Sequence, residues 1–361
     1  MINVVQRGRI ALGMSGGVDS STSAAILQRE GYEVVGVTCR FVDGPSTETA
    51  IADARSCCDL MGIQHVVYDA RASFNKNVVA PFVDEYARGL TPIPCVHCNM
   101  MCKVPSLLDA ARSCGCDSIA TGHYARIAHL SDVDRYVVKT ALDHSKDQSY
   151  MLSLLTQDQL SHLVLPLGGT TKLAVRVEAR DIGLPVADKA ESQDVCFIQG
   201  DYRDFLADHR IVEQPGSIVD EAGNVLGAHT GLSGYTIGQR KGIGVAAPEP
   251  LYVIGKCAER NELIVGFVDR TLTDRVDVVD CNWQAFKTLD APMECSVKLR
   301  YRADPAPCLI EPTAQGVRVT LKSPQPTTAP GQCGVFSIGD TILGGATISS
   351  VHRLAKGDDS E

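Results

Sequence analysis

Hydrophobic positions in the first half of the chain alternate between short apolar runs and helical repeats. Residues 9–13, 33–38 and 65–68 have the composition of buried strands, whereas residues 20–29 and about 49–61 have the periodicity of helices. Strands that alternate with helices of this length pair in parallel through right-handed crossovers. We therefore predict a doubly wound α/β domain with a parallel sheet.

The pattern changes after about residue 205. Glycine and proline become frequent, and β-branched runs alternate with turns, so helical periodicity is almost lost. We expect a catalytic α/β domain over residues 1–205, a small β-rich central domain over residues 206–280, and a C-terminal β-barrel over residues 281–361.

Composition narrows the class of protein. The 361 residues are 44% hydrophobic and 21% charged, as in globular proteins that bury a full core. No apolar run approaches the length of a membrane helix, and the N-terminus lacks a signal peptide, so a cytoplasmic enzyme without a membrane partner is expected. The net charge of −9 argues against a protein that coats nucleic acid nonspecifically.

A glycine-rich loop follows the first predicted strand. Residues 15–20 read SGGVDS and lead directly into a predicted helix. The glycines let backbone N–H groups approach an anion, and the helix adds its positive end. The alternative is an ordinary strand-to-helix turn with Ser20 as the N-cap. Asp19 would be repelled by a polyphosphate unless a cation intervened, which favours Mg²⁺ there.

Fourteen cysteines are many for a chain that is expected to be kept reduced. Most occur in apolar contexts and are expected to be buried or incidental. Cys95 and Cys98 instead follow two prolines, and Cys196 stands alone far along the chain. A structural zinc site is disfavoured, because Cys102 and His97 complete no standard ligand spacing.

Seven motifs together resemble those of bacterial tRNA-specific 2-thiouridylases, which belong to the PP-loop ATP pyrophosphatases. They occur in the family's order from one end of the chain to the other. They are GMSGGVDS (13–20), TPIPCVHCN (91–99), ATGHY (120–124), KDQSY (146–150), SQDVCFI (192–198), GQRKG (238–242) and PGQ (330–332).

The resemblance implies a reaction. ATP would adenylate the 2-carbonyl oxygen of the wobble uridine of a tRNA, and sulfur would then displace AMP. Cys98 would be the catalytic thiol, and Cys196 would carry the persulfide sulfur, which a persulfide donor protein would supply.

The resemblance also implies binding residues. The expected ATP contacts are Gly13, Met14, Ser15, Gly16, Gly17, Val18, Asp19, Ser20, Cys39 and Gly122. The expected contacts with the target base are Ile93, Pro94 and Cys95. The expected tRNA contacts are His123, Lys146, Asp147, Gln148, Arg300, Tyr301 and Gln332.

Two positions depart from the family's pattern. Some relatives have an aspartate with an acid–base role where this chain has Cys95, and Ile93 replaces a common asparagine. Cys95, Cys98 and Cys196 offer an alternative to the persulfide route, because three thiols can hold an iron–sulfur cluster with one open iron. Two other functions stay open: another PP-loop amidotransferase or ligase that adenylates its substrate, and a non-catalytic tRNA-binding protein.

Overall fold

The N-terminal part of the computed structural model is built on a parallel sheet. The structure describes residues 7–190, 195–198, 200–209 and 213–354. Its first seven strands are β1 (Arg9–Gly13), β2 (Glu33–Arg40), β3 (Gln64–Asp69), β4 (Ser118–Ala120), β5 (Ala125–Leu130), β6 (Arg135–Thr140) and β7 (Leu163–Val164). Five of them form a sheet in the order β3-β2-β1-β4-β7, and all neighbours are parallel. The predicted α/β class is confirmed.

Helices connect these strands. They are α1 (Val18–Arg29), α2 (Pro45–Met61), α3 (Arg71–Phe74), α4 (Ala80–Ala87), α5 (Pro94–Cys98), α6 (Val104–Ser113), α7 (Gln157–Ser161) and α8 (Lys172–Asp181). Helix α2 begins four residues before the predicted residue 49. Pro45 is tolerated in its first turn because the N–H that proline lacks has no partner there, and Gly62 ends the helix in a left-handed conformation.

Two wide π-type turns interrupt the helices around the cysteine motif. Asn75–Val79 joins α3 to α4, and Asn99–Lys103 joins α5 to α6. Side chains anchor the second turn: Asn99 Nδ2 donates to Met151 O at 3.0 Å, and Gln159 Nε2 donates to Met100 O at 2.7 Å. Such turns re-aim the residues that follow them, and they are frequent at functional sites.

The central region is small and β-rich, as predicted. It contains α9 (Tyr202–Asp208) and the strands β8 (Gly216–Val219), β9 (Val225–His229), β10 (Tyr252–Cys257) and β11 (Glu262–Gly266). These four strands pair in the order β10-β11-β8-β9 around a separate core.

The C-terminal region is a closed six-stranded barrel. Its strands are β12 (Leu272–Trp283), β13 (Met293–Lys298), β14 (Ala306–Thr313), β15 (Gly316–Pro326), β16 (Cys333–Ile338) and β17 (Thr341–Arg353). The order β12-β15-β14-β13-β16-β17 closes because β17 also pairs with β12. The first strand begins at Leu272, before the boundary expected at residue 281.

The barrel is fastened to the N-terminal domain. The β5–β6 hairpin pairs with one end of β17 through Thr341 and Lys139. The fully buried Gln284 donates to Leu152 O and Ser153 O at 2.9 and 3.1 Å, and it accepts from the N–H of Val138 at 3.0 Å. A buried amide with all these partners fixes one orientation of the two domains. No helix among the described residues is long and apolar enough to cross a membrane.

Candidate active site

The glycine-rich loop lies between β1 and α1, at the carboxyl edge of the parallel sheet. Ser20 Oγ donates to Gly17 O at 3.1 Å and accepts from the N–H of Ser15 at 3.2 Å. Gly17 is extended just before the helix, and no side chain caps the first turn of α1. The serines therefore hold the loop from within and leave the helix N-terminus available to an anion.

Two glycines are required by close backbone approaches. Gly16 has φ of +68°, and a Cβ there would stand 2.3 Å from Ala50 O. A Cβ on Gly122 would stand 3.0 Å from the N–H nitrogen of Ser20. The turn after β4 therefore packs tightly against the start of α1, which brings the two expected ATP-binding segments together.

The carboxylate of Asp19 is bound by a residue that the sequence analysis missed. Lys172 Nζ lies 2.6 and 2.7 Å from the two carboxylate oxygens, and the Tyr124 hydroxyl donates to one of them at 2.8 Å. The Lys172 side chain is 9% exposed. In the sequence, Lys172 is marked only by its position at the start of a helix, directly after Thr171, which is the N-cap of α8. The cation beside Asp19 is thus an ammonium group from the far end of the domain.

A cavity of about 760 Å³ opens beside this ion pair. It is lined at one end by Asp19 and Lys172 and at the other by the barrel residues Lys298, Tyr301 and Arg302. Three expected tRNA contacts, Lys146, Asp147 and Gln148, also line it, whereas Arg300 is not among its lining residues.

Two of the expected tRNA contacts make structural hydrogen bonds in this cavity. Asp147 accepts from the N–H of Ala141 at 2.8 Å and from Ser149 Oγ at 2.7 Å. Gln148 Oε1 accepts from the N–H of Tyr124 at 2.9 Å. Their side chains shape the wall of the cavity, and Lys146 adds a positive charge to this wall.

The cysteine motif forms a second cluster. Cys98 ends α5 and is buried, whereas Cys95 and Cys196 are exposed. Phe197 packs in the same apolar cluster as Cys98, with its ring centroid 5.4 Å from that of Phe74 and 5.3 Å from that of Phe82. These ring contacts hold the Cys196 segment against α3 and α4, in the apolar cluster that also contains Cys98. Residues 192–194 of the motif lie outside the described part of the chain.

Burial and charge oppose each other at Cys98. Burial raises the pKa of this thiol to about 12, while the positive charge of Lys103 lowers it, and the neighbouring thiols Cys102, Cys196 and Cys95 raise it further. Burial lowers the pKa of His123 to about 3, and the positive charge of Lys103 contributes to this decrease. His123 is therefore a neutral imidazole whose Nδ1 lies 2.8 Å from Thr121 Oγ1. Lys103 acts on both the thiol cluster and the turn beside the glycine-rich loop.

The barrel holds the proline-rich loop that precedes Cys98. Gln332 Nε2 donates to Thr91 O at 2.7 Å, and the N–H of Thr91 donates to Pro330 O at 3.1 Å. Gln332 is thus next to the segment that begins α5 and contains the expected base contacts Ile93, Pro94 and Cys95. Cys39 lies on β2 and packs against the core beneath the site.

The thiols do not fit an iron–sulfur cluster as they are arranged. Within residues 7–190, 195–198, 200–209 and 213–354, no three histidine, cysteine or acidic side chains are grouped so that they could hold a metal ion. Cys95, Cys98 and Cys196 influence one another electrostatically without forming a ligand set.

An uncapped glycine-rich loop at the edge of a parallel sheet, beside a cavity and a thiol cluster, defines a nucleotide-binding enzyme of the PP-loop class. A family model described as the tRNA methyl transferase HUP domain matches residues 8–200. A PRC-barrel domain model of the same family matches residues 203–267, and an aminomethyltransferase β-barrel domain model matches residues 273–348.

Curated relatives match almost the whole chain. The tRNA-specific 2-thiouridylase MnmA of Desulforamulus reducens is 44% identical, over 96% of this chain and 98% of its own. That of Acetivibrio thermocellus is 40% identical, over 95% of this chain and 100% of its own. The chain therefore belongs to the family of tRNA-specific 2-thiouridylases.

One solved structure that matches is the U34-tRNA thiolase NcsA from Methanococcus maripaludis with its [4Fe-4S] cluster. It is 17% identical with a TM-score of 0.36, over 57% of this chain and 65% of its own, which is too weak a likeness to support an argument about the site.

Proposed function

We propose that this chain transfers sulfur to the wobble uridine of tRNA in an ATP-dependent reaction that gives 2-thiouridine. The observation that carries the proposal is the packing of Phe197, which holds the Cys196 segment in one cluster with Cys98. An adenylating enzyme that transfers nitrogen would not need the pair Cys98 and Cys196. Family membership and the uncapped loop support the use of tRNA and ATP.

The first step activates the uridine. Its 2-carbonyl oxygen attacks the α-phosphorus of ATP, the bond to the β-phosphate oxygen breaks, and pyrophosphate leaves. The backbone of residues 13–20 would hold the leaving pyrophosphate, with Gly122 beside it. Lys172 keeps the carboxylate of Asp19 compensated next to this polyanion. Mg²⁺ would accompany ATP and neutralise phosphate charge.

The second step delivers sulfur. The terminal sulfur of a persulfide on Cys196 attacks C2 of the uridine, and AMP departs with the former carbonyl oxygen. The Cys98 thiolate then attacks the Cys196 sulfur, so that a Cys98–Cys196 disulfide forms and the sulfur stays on C2 as the thiocarbonyl. A reducing thiol reopens the disulfide. The exposed position of Cys196 suits loading by a persulfide donor protein.

The remaining expected contacts are part of the same proposal. Ile93, Pro94 and Cys95 would meet the target base, because they directly precede Cys98. The tRNA would contact His123, Lys146, Tyr301 and Gln332, together with Asp147, Gln148 and Arg300. The C-terminal domain, which we expected over residues 281–361, would then contact tRNA through residues of the barrel. ATP and tRNA occur in the cytoplasm, which we propose as the compartment.

The test combines two readouts on the full-length protein. The protein is incubated with ATP, a persulfide donor and unmodified tRNA that bears a wobble uridine. Pyrophosphate release and 2-thiouridine formation are then measured. We expect both products, and we expect Cys98→Ser and Cys196→Ser to abolish thiolation while pyrophosphate release continues. The same tRNA with cytidine at the wobble position is the control for base specificity.

Other results would assign the chain elsewhere. Pyrophosphate release that depends on ammonia or a small acid instead of tRNA would identify an amidotransferase or ligase. Binding of tRNA without any pyrophosphate release would identify a non-catalytic binding protein. Thiolation that survives both serine substitutions would contradict the roles of Cys98 and Cys196.

A further inference from the structure

Lys189 contacts the glycine-rich loop, although the sequence analysis did not single it out. Its Nζ donates to Gly16 O at 2.9 Å and to Asp53 Oδ2 at 2.6 Å. We propose that Lys189 is a positioning residue for ATP: its ammonium group holds the Gly16 carbonyl so that the N–H of Gly17 is directed at the pyrophosphate portion of the nucleotide. This inference rests on the proposed function, because it presupposes that the loop binds that portion of ATP.

The peptide between Gly16 and Gly17 explains how a contact with a carbonyl affects an anion site. This peptide is trans, so its C=O and N–H lie in one plane and point in opposite directions. A cation at the carbonyl oxygen therefore fixes the direction of the N–H. It also strengthens the dipole of the peptide, which makes the N–H a better donor to an anion.

The loop itself leaves this peptide free to rotate. Gly16 has φ of +68° and Gly17 has φ of −110°, and glycine imposes few steric limits on either side. The hydroxyls of Ser20 and Ser21 donate to Gly17 O at 3.1 and 3.0 Å, so they fix the next peptide along the chain. The preceding peptide needs a partner from outside the loop, and Lys189 is in place to provide it.

Helix α2 supports both the loop and the ammonium group. Gly16 lies so close to Ala50 that a Cβ would stand 2.3 Å from the Ala50 carbonyl oxygen. Asp53 comes three residues later, on the same face of the helix, and its carboxylate binds Lys189. One rigid element thus sets the distance between the Gly16 carbonyl and the group that binds it.

The backbone at Lys189 is also held in place. Arg176 Nη1 of α8 donates to Ala187 O at 2.9 Å, and Arg180 pairs with Asp188 at 2.8 Å. Ala187 is buried in the core. A side chain on a fixed backbone loses less conformational freedom when it binds a partner. Lys189 can therefore hold Gly16 O at a modest entropic cost.

The location of the ammonium group distinguishes positioning from a direct contact with phosphate. Nζ of Lys189 lies on the carbonyl side of the peptide, whereas an anion bound to the N–H of Gly17 lies on the opposite side. A direct contact would require Lys189 to leave both Gly16 O and Asp53. The structure thus favours an action through the peptide.

Steady-state kinetics of the full-length protein test this role. Pyrophosphate release is measured with wobble-uridine tRNA at varied ATP, and pyrophosphate and AMP are tested as inhibitors. The variants are Lys189→Met, which removes the donor and the charge, and Lys189→Arg, which keeps both. Asp188→Asn is the matched control, because it breaks the neighbouring ion pair of the same segment at an exposed carboxylate.

We expect Lys189→Met to raise the KM for ATP and the inhibition constant of pyrophosphate about tenfold, because one backbone donor to phosphate is no longer held. The kcat should change little, since the pyrophosphate portion is bound before and during the reaction. Inhibition by AMP, which lacks the β- and γ-phosphates, should stay the same. Lys189→Arg should recover most of the loss, and Asp188→Asn should match the parent protein.

Nuclear magnetic resonance observes the peptide directly. In protein labelled with ¹³C and ¹⁵N only at glycine, an amide-to-preceding-carbonyl correlation selects the three Gly–Gly pairs of the chain, at 16–17, 168–169 and 344–345. Loss of the hydrogen bond in Lys189→Met should move the Gly16 carbonyl carbon upfield and leave the other two pairs in place. Saturating pyrophosphate should then shift the N–H of Gly17 less than in the parent protein.

Several results would overturn the inference. They are an unchanged Gly16 carbonyl resonance or an unchanged KM for ATP in Lys189→Met, and an equal rise in KM in Asp188→Asn. A fall in 2-thiouridine formed per pyrophosphate released, at a normal KM for ATP, would also contradict it and would assign Lys189 to the positioning of Cys196. A parent protein without tRNA-dependent pyrophosphate release would instead reject the proposed function.

Discussion

The glycine-rich loop and the thiol cluster are built in opposite ways. The loop is polar and contiguous: Ser15, Gly17 and Ser20 bond to one another within six residues. The thiol cluster is apolar and assembled from distant segments, with Phe197 packed against Phe74 and Phe82. The glycine-rich loop has its backbone N–H groups positioned for an anion, whereas burial in the thiol cluster raises the pKa of Cys98 and keeps this thiol protonated. We infer that nucleotide binding is prepared in the free protein and that sulfur chemistry awaits a change at the thiol.

The largest expected effect on activity comes from a substitution beside the glycine-rich loop. Lys172→Ala leaves the carboxylate of Asp19 uncompensated beside the bound polyphosphate, so we expect pyrophosphate release to slow by about 100-fold or more. Glu178→Gln is a matched control, because it breaks another ion pair between α8 and α1, with Arg29 at 2.7 Å, on the surface. Equal losses in the two variants would show that the Lys172 pair matters only for joining the helices.

The second largest effect is expected from a substitution in the thiol cluster. Phe197→Ala removes the ring that holds the Cys196 segment, and such a deletion from a core costs about 3–5 kcal/mol of stability. We expect thiolation per pyrophosphate released to fall sharply, measured below the unfolding transition. Phe336→Ala deletes a fully buried ring from the barrel core and should leave that ratio unchanged. A similar fall in both variants would remove the specific role of Phe197.

A smaller effect is expected when the positive charge of Lys103 is removed. Lys103 lowers the pKa of Cys98, so Lys103→Met should raise it further. Because the thiolate is the reactive form, less of it is present at any fixed pH, and the alkylation curve of Cys98 should move to higher pH. Mass spectrometry after iodoacetamide treatment measures this shift. Lys76→Met, an exposed cation in the neighbouring π-type turn, should leave the curve in place.

The smallest effect is expected at Cys95. The thiols do not form a metal-ligand set as arranged, so Cys95→Ala should retain turnover with a persulfide donor and lose only the contact of this side chain with the target base. The assay is run anaerobically, with iron and sulfide measured in both proteins. Complete loss of activity together with loss of bound iron would establish the cluster route and refute the persulfide route.

The sequence by itself determined the local features. The alternation of strands and helices predicted the parallel sheet, and the SGGVDS loop predicted a phosphate site, because the glycines and the helix start that make it are neighbours in the chain. The motifs in order identified the family, which the relatives confirm. The roles expected for individual residues stay predictions.

Only the tertiary structure decided which distant groups meet. Lys172 reaches Asp19, Phe197 packs beside Cys98, and Arg302 rather than Arg300 lines the cavity. No periodicity or spacing encodes these contacts, because each depends on how sheet, helix and barrel pack across long separations in the chain. The same holds for the high pKa of Cys98, which arises from burial by segments that lie far away in the sequence.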